Sequence, residues 1–196
     1  PGLVWDLDRD RRGEVIHWRV DGMQEQLVVA DGMTGAVKHV THWPTPPPPH
    51  TNYNFRLAIG NLDGGYPDDI IVFTDPGENH KSIAAYHPNL AKRWEHIEKL
   101  KKHHLGHYVY HYDVTGDGID EIFVSALALD SSGKKLWDRF DVFFDNHDHA
   151  DTFRFVDLTG DGRPELICPF SDVGLVILDA ITGKILWQRP AAHGQQ

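Results

Sequence analysis

The apolar residues of this chain come in short runs separated by polar turns rich in Asp, Gly and Thr. HYVYHY at 107–112, EIFVSALAL at 121–129, FRFV at 153–156 and ELICPF at 165–170 are short and enriched in β-branched and aromatic residues, so each predicts a strand. A second kind of phrase, LDSSGKKLW at 129–137 and LDAITGKILW at 178–187, places a Gly-containing turn between two apolar runs; VADGMTGAVKHV at 29–40 is a looser copy. Each predicts a hairpin. KRWEHIEKLKKHHL at 92–105 departs from this pattern. Trp94, Ile97, Leu100 and Leu105 share a helical face and Glu95 precedes Lys99 by four, which predicts a short helical insertion or else an outer strand. TPPPPH at 45–50 predicts an extended polyproline connector, because Pro donates nothing to a sheet ladder.

Between paired strands the same acidic loop recurs. YDVTGDGIDEI at 112–122 and VDLTGDGRPEL at 156–166 match closely, and WDLDRDRRGEV at 5–15 and GNLDGGYPDDI at 60–70 keep most of the same offsets. The loops begin at Asp6, Asn61, Asp113 and Asp157, at intervals of 55, 52 and 44 residues. Strand, acidic loop, strand and hairpin make up one four-stranded propeller blade, for which periods of roughly 40–50 residues are typical. The sequence therefore predicts an all-β chain of about four β-propeller blades. Residues 1–196 would be a single propeller domain or a segment of a seven- or eight-bladed ring.

The loop chemistry points to a hard cation. Oxygen ligands at positions 1, 3 and 5, a carbonyl at 7 and a carboxylate at 9 can wrap calcium, with Gly supplying the left-handed turn residues. An EF-hand opens the same way but carries its bidentate Glu at position 12 and continues as a helix, whereas a strand follows here. The third loop offers Asp113, Thr115, Asp117, the Ile119 carbonyl and Glu121; the fourth offers Asp157, Thr159, Asp161, the Arg163 carbonyl and Glu165. The first has Asp6, Asp8, Asp10 and Glu14, but Arg9, Arg11 and Arg12 repel a cation there, and the second has Asn61, Asp63 and Asp69 with Gly65 at position 5. Two or more calcium ions are expected, with the last two loops ranked ahead of the first two.

Composition narrows the partners. A net charge of -10 argues against a nucleic-acid backbone, and 14 of the 29 acidic residues lie in the four loops, where an ion would relieve their repulsion. No run of eighteen apolar residues is present, so a soluble chain without a membrane partner is expected. Cys168 is the only cysteine, which excludes an intrachain disulfide. The chain starts at Pro1 with no leader, and a fragment of a longer protein is expected.

The order YDVTGDGIDEIFVSALALDSSGKKLW, then NHDHADTFRFVDLTGDGRPEL, resembles the calcium-dependent rhamnogalacturonan lyases of polysaccharide lyase family 11, and the loops themselves resemble FG-GAP-type calcium blades. The resemblance implies a calcium-stabilised propeller, secreted or periplasmic, that cleaves a uronic-acid-containing pectic glycan by β-elimination. The alternative is a non-enzymatic FG-GAP-like module that binds a glycan or a protein. Self-association, or the remainder of a larger propeller, is a further expected partner.

In a propeller, segments entering the innermost strands line one mouth of the central channel, where ligand sites favour the opening. Of 14 histidines, His103, His104 and His107 precede the third such strand and His147 and His149 the fourth, with His50 and His193 in like places. β-Elimination needs a group to neutralise the uronate carboxylate, a base for the C5 proton and an acid for the leaving oxygen. Arg154 suits the first, and His149, His147, His104, His107 or Tyr110 suit the others, with no unique choice of base. His147 and His149, on alternate residues of an extended segment, could also hold a transition metal. Trp5, Trp137 and Trp187 are expected in the core, and Trp43 and Trp94 are candidates for stacking on sugar rings.

Overall fold

A computed structural model describes residues 2–22, 24–43, 54–75, 81–99, 106–142, 149–150, 152–170 and 174–190. The described residues form four four-stranded antiparallel sheets, each in chain order from one edge to the other. Sheet 1 comprises β1 (Gly2–Trp5), β2 (Glu14–Asp21), β3 (Gln24–Asp31) and β4 (Val37–His42). Sheet 2 comprises β5 (Asn54–Gly60), β6 (Asp69–Asp75), β7 (Lys81–Tyr86) and β8 (Lys92–Glu98). Sheet 3 comprises β9 (Tyr110–Tyr112), β10 (Glu121–Val124), β11 (Leu127–Leu129) and β12 (Lys135–Asp138), followed by a 3-10 turn at Phe140–Val142. Sheet 4 comprises β13 (Arg154–Val156), β14 (Glu165–Phe170), β15 (Gly174–Asp179) and β16 (Ile185–Arg189).

The continuous apolar runs follow from burial on both faces of the inner strands. Successive side chains of a strand point to opposite faces, so a strand between two neighbouring sheets must be apolar at every position. In sheet 2, Ile70, Val72, Ala84 and Tyr86 pack towards sheet 1 with Ile16, Leu27 and Val29. The intervening Ile71, Phe73, Ile83 and Ala85 pack towards sheet 3 with Ile122, Val124 and Leu127. Phe123 and Ala128 turn the other way and meet Leu166, Cys168 and Val176 of sheet 4. Each inter-sheet layer is therefore a separate core.

Tryptophan locks neighbouring sheets together. Trp94 of β8 donates its indole N–H to the Ser131 carbonyl at 2.8 Å, and its ring covers Gly133. Trp137 of β12 repeats the contact one sheet later, on the Ala180 carbonyl at 3.0 Å and over Gly183. A Cβ at Gly133 would lie 2.5 Å from the Trp94 ring, so the turn glycine is required by that approach as well as by its φ of +80°.

Three sequence expectations change here. The 92–105 pattern yields strand β8 over Lys92–Glu98, because those residues pair with β7, and the tetraproline stretch and residues 100–105 lie outside the described residues. Trp43 is buried with its indole on the Thr74 hydroxyl at 2.8 Å, and Trp94 is an inter-sheet lock, so neither is placed to stack on a sugar. Trp5, 38% exposed beside Tyr66, and Trp187, 40% exposed at the outer strand of sheet 4, lie outside the core, where only Trp137 of the three is buried. Among the described residues, no helix is long and apolar enough to cross a membrane.

Candidate functional site

The acidic loop joins the first two strands of every sheet. Its ninth residue opens the second strand, pairing Glu14 with Trp5, Asp69 with Gly60, Glu121 with Tyr112 and Glu165 with Val156. From there each carboxylate accepts the backbone N–H of the second loop residue: Leu7 at 2.8 Å, Leu62 at 3.0 Å, Val114 at 3.0 Å and Leu158 at 2.6 Å. Acid and turn thus form one unit that closes the loop.

The first loop residue gathers the remaining amides. Asp113 accepts from Gly116, Asp117 and Gly118, and Asp157 from Gly160, Asp161 and Gly162, over 2.6–3.2 Å. These bonds hold the Asp157 carboxyl below the usual carboxylate range. Both loops need φ near +80° at two positions, which glycine supplies. The first loop keeps this path without glycine, at Arg9 (φ 64°) and Arg11 (φ 71°). The Arg9 guanidinium leaves the loop to meet Asp68 at 3.3 Å and lies over the Tyr66 ring, which removes part of the expected repulsion.

The donor set of the third and fourth loops, carboxylates with Thr115 or Thr159 and backbone carbonyls, is all oxygen and fits a hard cation. Their charge is crowded: burial pushes the Glu121 carboxyl above its ordinary range, the Val114 N–H opposes this, and Asp117 and Asp113 push it higher. In the first loop, ligand atoms of Asp6, Asp8 and Glu14 lie within 4.8 Å of one another, and Asp6 Oδ1 is buried with no hydrogen-bond partner.

Two cationic side chains that the loop motif does not contain reach these carboxylates. Lys38 Nζ lies 2.7 Å from Glu14 Oε1 and 2.9 Å from Asp8 Oδ2. Arg93 pairs with Asp69 and stands 3.6 Å from Asp63 Oδ2. The second and third loops are also joined to each other: Asn61 donates to the Gly118 carbonyl at 2.7 Å, and Asp120 accepts from the Asn61 N–H at 2.8 Å and meets His111 Nδ1 at 2.7 Å.

The histidine reading finds its residues in part. Where the chain enters sheet 3, Gly106 has φ +77°, and a Cβ there would lie 2.6 Å from the Ala150 carbonyl of the segment entering sheet 4. That crossing brings the adjacent residues together. His107 and His149 place their Nε2 atoms 3.0 Å apart with rings nearly perpendicular at 88°. One ring must hold the proton and the other accept it. Three residues further along both segments, the Tyr110 hydroxyl bonds Thr152 Oγ1 at 2.9 Å, and Arg154 Nη1 donates to the same oxygen at 3.1 Å and to the Phe153 carbonyl at 2.7 Å. Thr152, absent from the sequence reading, bridges two of its candidates. His104 and His147 lie outside the described residues.

Comparison with known structures gives a fold likeness. The rhamnogalacturonan lyase YesW superposes with a TM-score of 0.79 at 24% identity, covering 97% of this chain and 39% of the lyase. A Bacillus licheniformis rhamnogalacturonan lyase of family PL11 gives 0.76 at 22% identity, covering 97% and 39%. The V. cholerae biofilm matrix protein Bap1 gives 0.66 at 18% identity, covering 100% of this chain and 29% of that protein. The chain spans about two fifths of the length of the lyases it resembles. No family model and no curated protein matches its sequence.

Proposed function

We propose that the four sheets are consecutive blades of a calcium-stabilised β-propeller belonging to a secreted or periplasmic polysaccharide lyase. Its substrate would be a uronic-acid-containing pectic glycan such as rhamnogalacturonan. The observation that carries this reading is that the segments entering sheets 3 and 4 bring His107 to His149 and, three residues further along each, Tyr110 to Thr152, which Arg154 also meets, on a fold shared with two rhamnogalacturonan lyases.

β-Elimination at a uronate removes the C5 proton and expels the oxygen at C4. The imidazole of the pair that lacks its Nε2 hydrogen is the base, and its Nε2 lone pair takes the C5 proton once the partner ring turns its N–H away from it. Arg154 neutralises the carboxylate and Tyr110 protonates the departing oxygen, both oriented through Thr152. The third and fourth loops would hold calcium through Asp113, Thr115, Asp117, the Ile119 carbonyl and Glu121, and through Asp157, Thr159, Asp161, the Arg163 carbonyl and Glu165. A bound ion would supply charge neutralisation that keeps the loops closed.

The test is absorbance of unsaturated uronide after incubation of the complete protein with rhamnogalacturonan and calcium. A rise abolished in the H107A/H149A variant is expected, and no rise with the unmodified protein removes the lyase reading. The likeness to Bap1, which spans this whole chain, favours a second reading: a calcium propeller that binds a glycan or protein without cleaving it. Saturable glycan binding with no ultraviolet product identifies that case.

A further inference from the structure

In all four sheets the pairing of the third and fourth strands slips by one residue at the same place. The shift falls between Val29 and Ala30, Ala85 and Tyr86, Ala128 and Leu129, and Ile177 and Leu178. The residue passed over on the outer strand is Lys38 in sheet 1, Arg93 in sheet 2, Leu136 in sheet 3 and Leu186 in sheet 4. A bulged residue leaves the strand alternation and its side chain is re-aimed. In sheets 1 and 2 it reaches the acidic loop of its own sheet.

The contacts fall on the same two loop positions in both sheets. Lys38 meets Asp8 at position 3 and Glu14 at position 9, and Arg93 meets Asp63 at position 3 and Asp69 at position 9. Glu14 and Asp69 are almost fully buried, so a charge of opposite sign beside them offsets a large desolvation cost. Where the bulge is aliphatic, position 3 changes too: Thr115 accompanies Leu136, and Thr159 accompanies Leu186. Both leucines are 45% exposed, and neither supplies charge to its loop. Acid at position 3 and base at the bulge occur together or not at all.

We propose that Lys38 and Arg93 are tethered cations standing in the ion position of the first and second loops, so that only the loops at Asp113 and Asp157 take a metal ion from solution. The inference rests on the calcium reading of those last two loops. A calcium ion and the Lys38 ammonium are alternatives, because each requires Glu14 Oε1 and Asp8 Oδ2, the ion at roughly 2.3–2.6 Å and the ammonium at the observed 2.7 and 2.9 Å. With the ammonium removed, Asp6 Oδ1, buried and without a hydrogen-bond partner, completes a three-carboxylate site with Asp8 and Glu14. The bulge residue thus decides, sheet by sheet, whether the loop is closed from within or by calcium.

Calcium stoichiometry of the full chain by isothermal titration calorimetry tests this. Relative to the unmodified protein, K38M is expected to bind one calcium ion more, and T115D/L136K, which installs the pairing of sheet 1 in sheet 3, one fewer. An unchanged count in either folded variant overturns the proposal. If K38M does not fold, T115D/L136K decides alone: one ion fewer supports the proposal and an unchanged count overturns it. An unmodified protein that binds none defeats the calcium reading of the third and fourth loops. Uptake of one ion by K38M in that case sustains the tethered cation, and uptake of none overturns it as well.

Discussion

The Nε2 atoms of His107 and His149 stand 3.0 Å apart across 42 residues of chain, at a crossing where Gly106 runs against the Ala150 carbonyl. The pair therefore depends on a glycine that does no chemistry itself. On the lyase reading, H149A in the complete protein is expected to lower uronide elimination about 10²–10⁴-fold, the usual contribution of a positioned base. G106A should reduce it as well, because its Cβ forces the two segments apart. Initial rates of uronide absorbance, compared with the melting temperature of each variant, separate lost chemistry from lost folding.

On the calcium reading of the third loop, replacing Glu121 should have opposite effects with and without the ion. In metal-free protein its carboxyl titrates above its ordinary 4.5, for reasons led by burial. A group whose folded value is raised contributes stability that is complete below the unfolded value and is lost as pH rises through the folded one. In chelator, E121Q should therefore be more stable than the unmodified chain at neutral pH, with the gain fading as pH falls through the raised folded value and gone below pH 4.5. In saturating calcium the same variant should melt lower, because a ligand is lost. Thermal melts at pH 4 and 7, with chelator and with calcium, check both signs.

Gly133 and Gly35 share a left-handed conformation, at φ +80° and +71°, but not a neighbour. Gly133 sits under the Trp94 ring, while a Cβ at Gly35 meets nothing within 4 Å. G35A should cost only the conformational term, about 1–2 kcal/mol. G133A adds overpacking against the indole, for a total of about 2–5 kcal/mol. Urea midpoints at constant m-value measure the difference.

Asp120 governs part of the acid limb. Burial raises its carboxyl, but the His111 hydrogen bond and the Asn61 N–H outweigh this and hold it below 3.8. Its contribution to stability is present above that value and disappears as pH falls through the lower folded one. D120N should flatten the loss of stability below pH 3.8, as read from melting temperature against pH.

Much of the architecture was legible along the chain. The spacing of the acidic loops located four sheet units, and the glycine phrases marked the outer hairpins, because turn chemistry and strand propensity are local. The pattern over 92–105 favoured a helical insertion over an outer strand; pairing with β7 decided for the strand, a non-local interaction that no short window contains. Trp43 and Trp94 looked exposed beside prolines and charges, yet hydrogen bonds to Thr74 and to the Ser131 carbonyl hold them inside.

The sequence by itself determined the repeated strand–loop–strand unit, the all-oxygen donor set and the glycines that let the loops turn, since each depends on residues within about a dozen positions. Only the tertiary structure decided which charges those loops meet. Lys38 reaches Glu14 across 24 residues because a bulge turns it out of alternation, and Leu136, at the same bulge two sheets on, brings no charge at all. Bulge placement and inter-sheet crossings are set by packing between strands distant in sequence, so the side-chain cations of the first two loops and the histidine pair emerge only when the sheets are assembled.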